Sequence, residues 1–252
     1  MAHGYEILVS SSNSDPAVLT TCVRRMLERK VEGVAVLTFG QEEPVLDQLV
    51  HRDIPMVLAE FHPDDPKVST ILLDYTTGIQ AAVNHLAELG HSKIAFLAGP
   101  RKLHSAITRE NDYRSAMETA GLATQNKWVI ECDHTLKGGV AGFAKLQALA
   151  SRPTAILCSN DMTAIGVLRA AYMVGMRVPQ DLSVIGLDDI DFAEFTLPPL
   201  TTIRLSRIDL ARAAFEALRQ QAEDPHNPSM QREFLVSTSL VLRGSTAPPS
   251  SS

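Results

Sequence analysis

The chain lacks most features that would announce a chemistry directly. Its 252 residues hold 3 cysteines, Cys22, Cys132 and Cys158, with no C-x-x-C pair. That excludes a zinc knuckle or dithiol centre, and the odd number argues for free thiols in a reducing cytosol rather than a disulfide framework. The 8 histidines are dispersed, without H-x-x-x-H or H-E-x-x-H spacing, so no metal site is expected. There is no G-x-S-x-G elbow, no Walker loop, and no G-x-G-x-x-G following a strand, which leaves no catalytic residue to nominate and no cofactor implied. The acidic run Asp188, Asp189, Asp191 and Glu194 has no partner cluster at metal-site spacing, and a turn explains it. Aromatic residues make up 5%, and 23 Lys and Arg stand against 29 Asp and Glu with no basic cluster. Phosphate-driven nucleic-acid binding by these residues is therefore not expected. No basic stretch leads into an apolar run at the start, and no apolar run approaches the roughly 20 residues of a membrane span. The expectation is a cytoplasmic chain with no membrane contact and no enzymatic activity.

What the chain does have is alternation. Short apolar or β-branched runs at 5–10, 33–38, 55–60, 68–73, 94–98, 128–132, 154–158, 183–186, 202–205 and 239–242 read as strands. Unbroken apolar runs such as Val34-Ala35-Val36-Leu37 suit a parallel sheet covered on both faces. Between them lie amphipathic stretches at 16–27, 78–89, 108–120, 161–174 and 209–218, with Asp15 as a cap and Gly90 and Gly175 as stops. Repeated βα units predict an α/β fold with doubly wound parallel sheets. So many strands exceed one comfortable open sheet, which predicts two lobes. A Ser/Pro-rich tail at 245–252 is expected to be disordered, and 224–228 reads as a loop.

Polar residues at strand ends are the candidates for function. In open α/β sheets the ligand crevice lies outside the carboxyl ends of the strands. Asn160 follows one strand and Asp188 ends another; an amide that donates and accepts, beside a carboxylate, suits vicinal hydroxyls or a polar heterocycle. Turn-filling accounts for both equally well, and Asp161 and Asp189 are read as helix N-caps. Arg109, early in its helix after the loop 99–105, is open to two readings, a bidentate clamp on a ligand oxygen or a surface residue.

The segment SNDMTAIGVLRAAYMVGMRVPQDLSVIGLDDIDFAEFTLPPLTTIR resembles the C-terminal signature of the LacI/GalR family of bacterial transcription regulators. RKVEGVAVL at 29–37, DIPMVLAE at 53–60 and HLAELGHSKIAFLAGP at 85–100 support it in the same order. The resemblance implies a periplasmic-binding-protein fold of type I, two α/β lobes with parallel sheets joined by three crossovers. On that pattern one lobe comprises 1–73 with 206–235 and the other 74–205 with 236–244. It implies an effector cleft between the lobes lined by Glu60 and Phe61 from the first, and by Ser105, Arg109, His134, Asn160 and Asp188 from the second. His134 falls where relatives often carry an aromatic ring, and Tyr75 where they more often carry a small polar residue. The implied function is effector binding and dimerisation for a regulator, the effector being a sugar or related metabolite. The family's helix-turn-helix, hinge and first βα unit have no counterpart here, so operator DNA would be reached only through a segment absent from this chain. The same fold serves solute-binding proteins of sugar transport systems, the alternative reading.

Overall fold

The computed structural model describes residues 4–12, 15–37, 54–60, 68–223 and 233–250. Phe61 and the predicted loop 224–228 lie outside them. The chain forms two compact units, residues 1–72 with 208–235 and residues 73–207 with 236–252. The chain therefore passes between them at 72/73, 207/208 and 235/236, whereas the sequence pattern places these passages at 73/74, 205/206 and 235/236.

In the first unit, strands β1 (Val34–Val36), β2 (Met56–Ala59) and β3 (Val68–Asp74) pair in parallel in that order. Helix α1 (Pro16–Glu28) covers one face with Leu19 and Val23, which pack on Val34, Val36, Met56, Leu58 and Val68. Its start is set by Asp15, whose carboxylate accepts from the Ala17 and Val18 amides. Helix α6 (Arg207–Glu223) runs five residues beyond the predicted 218 for a physical reason. Gln221 is buried near its end, and its amide accepts from Met56 N and donates to Met56 O and Ser69 Oγ. That polar anchor ties the helix to β2 and β3. The expected strand at 5–10 is not one: Ile7 and Val9 are 81% and 88% exposed and the backbone is unpaired in any ladder among the described residues. An apolar run makes a strand only when a neighbour receives it. Tyr5 instead sets its ring edge-on to Phe215.

The second unit carries the larger sheet. Its strands are β4 (Ile94–Ala98), β5 (Val129–Glu131), β6 (Ala155–Cys158), β7 (Ser183–Asp188), β8 (Thr201–Leu205) and β9 (Glu233–Val241). They lie in the order β9-β8-β7-β6-β4-β5, parallel except for antiparallel β9. Helices α2 (Tyr75–Glu88) and α3 (His104–Thr119) lie on one face, where Phe96 stacks on Tyr113 at 4.8 Å. Helices α4 (Leu136–Gln147) and α5 (Asp161–Met173) cover the other, packing Phe143, Leu146, Ala164 and Val167 on Leu97, Ile156 and Val184. Alternate residues of β4 thus feed two cores, which is why its run is apolar throughout. Gly90 and Gly175, at φ 95° and 76°, stop α2 and α5 as predicted.

Cys22, Cys132 and Cys158 are all free, the last two buried. The tail does not hang loose as expected. Ser245 is fully buried, donates to Val184 O and accepts from Thr201 N, while Ala247 exchanges hydrogen bonds with Ser183 Oγ. His85 bonds Thr246, and His91 bonds Ala247 O. Composition predicts a free tail, but buried His91 and Ser183 satisfy the Ala247 backbone, and His85 holds the Thr246 hydroxyl.

Candidate functional site

The helix after β4 lies on one face of the second unit's sheet and the helix after β6 on the other, although β4 and β6 are neighbours. Their carboxyl ends therefore part at a topological switch point, where open α/β sheets leave a crevice. Ser159 and Asn160 follow β6 there, and the loop from Gly99 leads into α3 with Ser105 and Arg109. Asp188 ends the next strand, and His134 follows β5.

Arg109 sits in the second turn of α3 because that helix begins at His104, four residues before the expected 108. It is buried, 5% exposed, which excludes the surface reading. One guanidinium nitrogen donates to Ser159 O at 2.7 Å, and another donates to the Tyr75 hydroxyl at 2.9 Å. The Tyr75 ring lies 4.3 Å from the guanidinium carbon. His134 Nε2 shares a hydrogen bond with Ser159 Oγ at 3.0 Å. Its ring packs so closely on Gly99 that any Cβ there would collide with it, which explains the glycine after Ala98. Burial, helped by the Arg109 charge, lowers the His134 pKa to about 4, so the imidazole is neutral at physiological pH.

Neither of the two acids expected to cap a helix does so. Asn160, not Asp161, is the N-cap of α5: its Oδ1 accepts from Thr163 N at 2.9 Å, and its Nδ2 donates to His134 O at 3.0 Å. Asp161 is fully buried behind it, taking hydrogen bonds from Thr202 Oγ1 and Ile190 N. Burial raises its pKa to about 6 despite those bonds. Asp189 caps nothing either; it receives Arg204 Nε and Arg243 Nη2, each at 2.6 Å. Those pairs outweigh burial and hold its carboxyl below the usual range.

Asp188 is left as the carboxyl of the crevice. Burial raises its pKa to about 7 even though the Arg109 charge pulls the other way and Asp161 adds to the rise. Its backbone stands at φ 118°, with Asp189 at 57° and His134 at 62°. Non-glycine residues held there cost on the order of 1–3 kcal/mol each, and such strain collects at functional sites. The structure thus gathers Arg109, His134, Asn160 and Asp188 around one switch point, all within the second unit, and Ser105 lies buried on α3 four residues before Arg109. Glu60 follows β2 in the first unit at φ 58°, its amide bonded to Ile71 O.

Residues 83–246 match the Periplasmic binding protein-like domain family. The HTH-type transcriptional repressor PurR of Photobacterium profundum is 31% identical over 96% of this chain and 72% of its own. CytR of Escherichia coli K12, another HTH-type repressor, is 32% identical over 97% and 71%. The chain belongs to the LacI family. Among solved structures of that family, a regulator from Mycobacterium smegmatis superposes with a TM-score of 0.84 at 27% identity, covering 99% of this chain and 91% of that one. The regulator CelR in complex with cellobiose gives 0.86 at 26% identity, covering 97% and 74%. The mostly parallel α/β architecture read from the sequence is the LacI-family effector-domain fold, and the chain is the effector-binding region of a LacI-type regulator. Sequence reasoning missed Tyr75 as a partner of Arg109. An aromatic at the first residue of a helix directly after a capping Asp was the available signal, but nothing local says what it touches.

Proposed function

We propose that the second unit's switch point holds a small, oxygen-rich effector of the sugar class, and that its binding controls DNA affinity in a homodimeric regulator. The observation that carries this reading is the buried Arg109 guanidinium, fixed between Tyr75 and Ser159 O beside the strained Asp188. A fixed planar donor next to a carboxyl titrating near neutrality suits ligand hydroxyls, which donate and accept at once. Neutral His134 supplies an apolar ring face and adds no charge. Asn160 is engaged in capping, yet its Nδ2 carries a second hydrogen for a ligand oxygen. Ser105, buried in the first turn of α3, completes the group. The sugar class draws on two relatives: the Ribose operon repressor of Haemophilus influenzae, 30% identical, and the cellobiose complex of CelR. Both are regulators, as are PurR and CytR, which favours this reading over a transport solute-binding protein and over an enzyme. A coupling of about 1–3 kcal/mol would shift DNA affinity roughly 5- to 150-fold.

Exposed Phe192, Phe195 and Leu197, at 72%, 78% and 93%, form the apolar surface we assign to the homodimer contact. Relatives include a dimeric Lac repressor. The effector reading is tested by a thermal-shift screen of pentoses, hexoses and disaccharides, since a ligand of the folded state raises apparent stability. A sugar that stabilises the chain should bind Arg109→Ala more than roughly tenfold more weakly in calorimetry. Unchanged affinity in that variant refutes the site, and no stabilising sugar refutes the ligand class.

A further inference from the structure

We propose that Tyr75 is the positioning residue of this site: it sets the orientation of the Arg109 guanidinium and touches the ligand's binding group only through it. The proposal rests on the reading of Arg109 as the effector clamp. An arginine side chain has several rotatable bonds, so a guanidinium aimed in one direction needs support on both its face and its edge. Tyr75 supplies both. Its ring lies 4.3 Å from the guanidinium carbon, and its hydroxyl accepts from one terminal nitrogen at 2.9 Å. Ser159 O takes the other terminal nitrogen at 2.7 Å, so the plane is held at two edges and one face.

Tyr75 is itself immobilised. It is 1% exposed and occupies the first residue of α2. Asp74 caps that helix through Thr77 N and Thr77 Oγ1. Thr238 Oγ1 on β9 donates to Asp74 O at 2.6 Å and accepts from Gly78 N at 3.0 Å. One hydroxyl therefore bonds the residue before Tyr75 and the residue three after it. A Cβ at Gly78 would collide with Thr238 and Ile203, so the first turn of α2 lies directly against β8 and β9. From α3, Asp112 accepts Thr76 Oγ1 at 3.1 Å and fixes the turn from its outer side. The orientation of the clamp is thus built from the sheet outward, through Thr238, the α2 turn, Tyr75 and Arg109.

The test reads Arg109 without any ligand. The full chain, carrying 13C,15N-labelled arginine, is compared with Tyr75→Phe and Tyr75→Leu by NMR, the Arg109 signals being assigned from their loss in Arg109→Lys. The wild type is expected to show resolved terminal-nitrogen signals with slow rotation about the Cζ–Nη bonds. Tyr75→Phe keeps the ring and should speed that rotation roughly tenfold or more, the scale of losing one charge-assisted hydrogen bond. Tyr75→Leu should in addition move the Arg109 Hδ and Hε shifts by removing the ring current. Arg109 signals like those of the wild type in a folded Tyr75→Phe chain overturn the proposal, and so does a Tyr75→Phe chain that no longer folds, because the hydroxyl would then be structural. If Tyr75→Leu fails to fold, Tyr75→Phe decides alone. Failure of the sugar screen would sink the effector reading without altering these spectra, so the two outcomes are distinguishable.

Discussion

Replacing Asp161 by asparagine should make the second unit less dependent on pH. Asp161 is fully buried at the start of α5, against Gly186, where any added Cβ would strike its Oδ1. Its carboxylate accepts from Thr202 Oγ1 and Ile190 N. Asparagine fits that pair: its oxygen keeps the Ile190 amide and its nitrogen donates to Thr202, whose hydroxyl rotates to accept. The charge is what is removed. In the folded chain the carboxyl titrates near 6, against about 3.9 unfolded. The folded pKa is raised, so the folded state binds the extra proton, and stability grows as pH falls through 6 toward 4. Integrated from pH 8 to pH 5, this group adds roughly 1.4 kcal/mol of stability to the wild type. The variant lacks that gain. Asp161 also raises the pKa of Asp188, so its removal shrinks the Asp188 gain as well and makes the figure a lower bound. The chain's single tryptophan, Trp128, is buried in the same unit and bonded to Ser151 O, so its fluorescence follows the right transition. Urea unfolding at both pH values should give wild type the larger rise toward acid by about that amount. Equal rises in the two chains, or a larger one in the variant, would refute the assignment of a raised pKa to Asp161.

Ser245→Ala removes a buried hydroxyl that bonds Val184 O and Thr201 N; it should lower stability by about 1–3 kcal/mol in the same unfolding assay, because both backbone groups lose a partner. Leu157→Ala, in the middle of β6 and fully buried, should cost about 2–5 kcal/mol, again followed through Trp128. Phe195→Glu combined with Leu197→Asp should leave the fold intact and convert a dimer to a monomer in sedimentation equilibrium; an unchanged mass would move the dimer contact elsewhere.

Much of the fold was legible because its signals are local. The continuous apolar runs of β4, β6 and β7 declare strands buried on both faces, and glycines at 90 and 175 mark where helices must stop. The stretch 5–10 shows the limit of that logic, since it has the apolar run of a strand yet pairs in no ladder among the described residues. The helix starts were harder: α3 begins at His104 with no side-chain cap, and α2 begins at Tyr75, whose aromatic ring does not advertise a helix N-terminus.

The site divides in the same way. The residue types at the strand ends and the family resemblance are properties of the sequence by itself: Asn160 and Asp188 stand where an α/β sheet offers a crevice, and the resemblance adds Arg109 and His134. What each of them does was decided by tertiary contacts between residues far apart in the chain. Tyr75 meets Arg109 across 34 positions and Ser159 meets it across 50. His91 reaches Ala247 across 156, which turns an expected loose tail into part of the fold. Asn160 rather than Asp161 is the cap because it points at the helix amides, while Asp161 faces Thr202. Propensity and periodicity act over a few residues and give the elements. Side-chain roles depend on which elements the sheet order brings together, and that is a property of the folded chain.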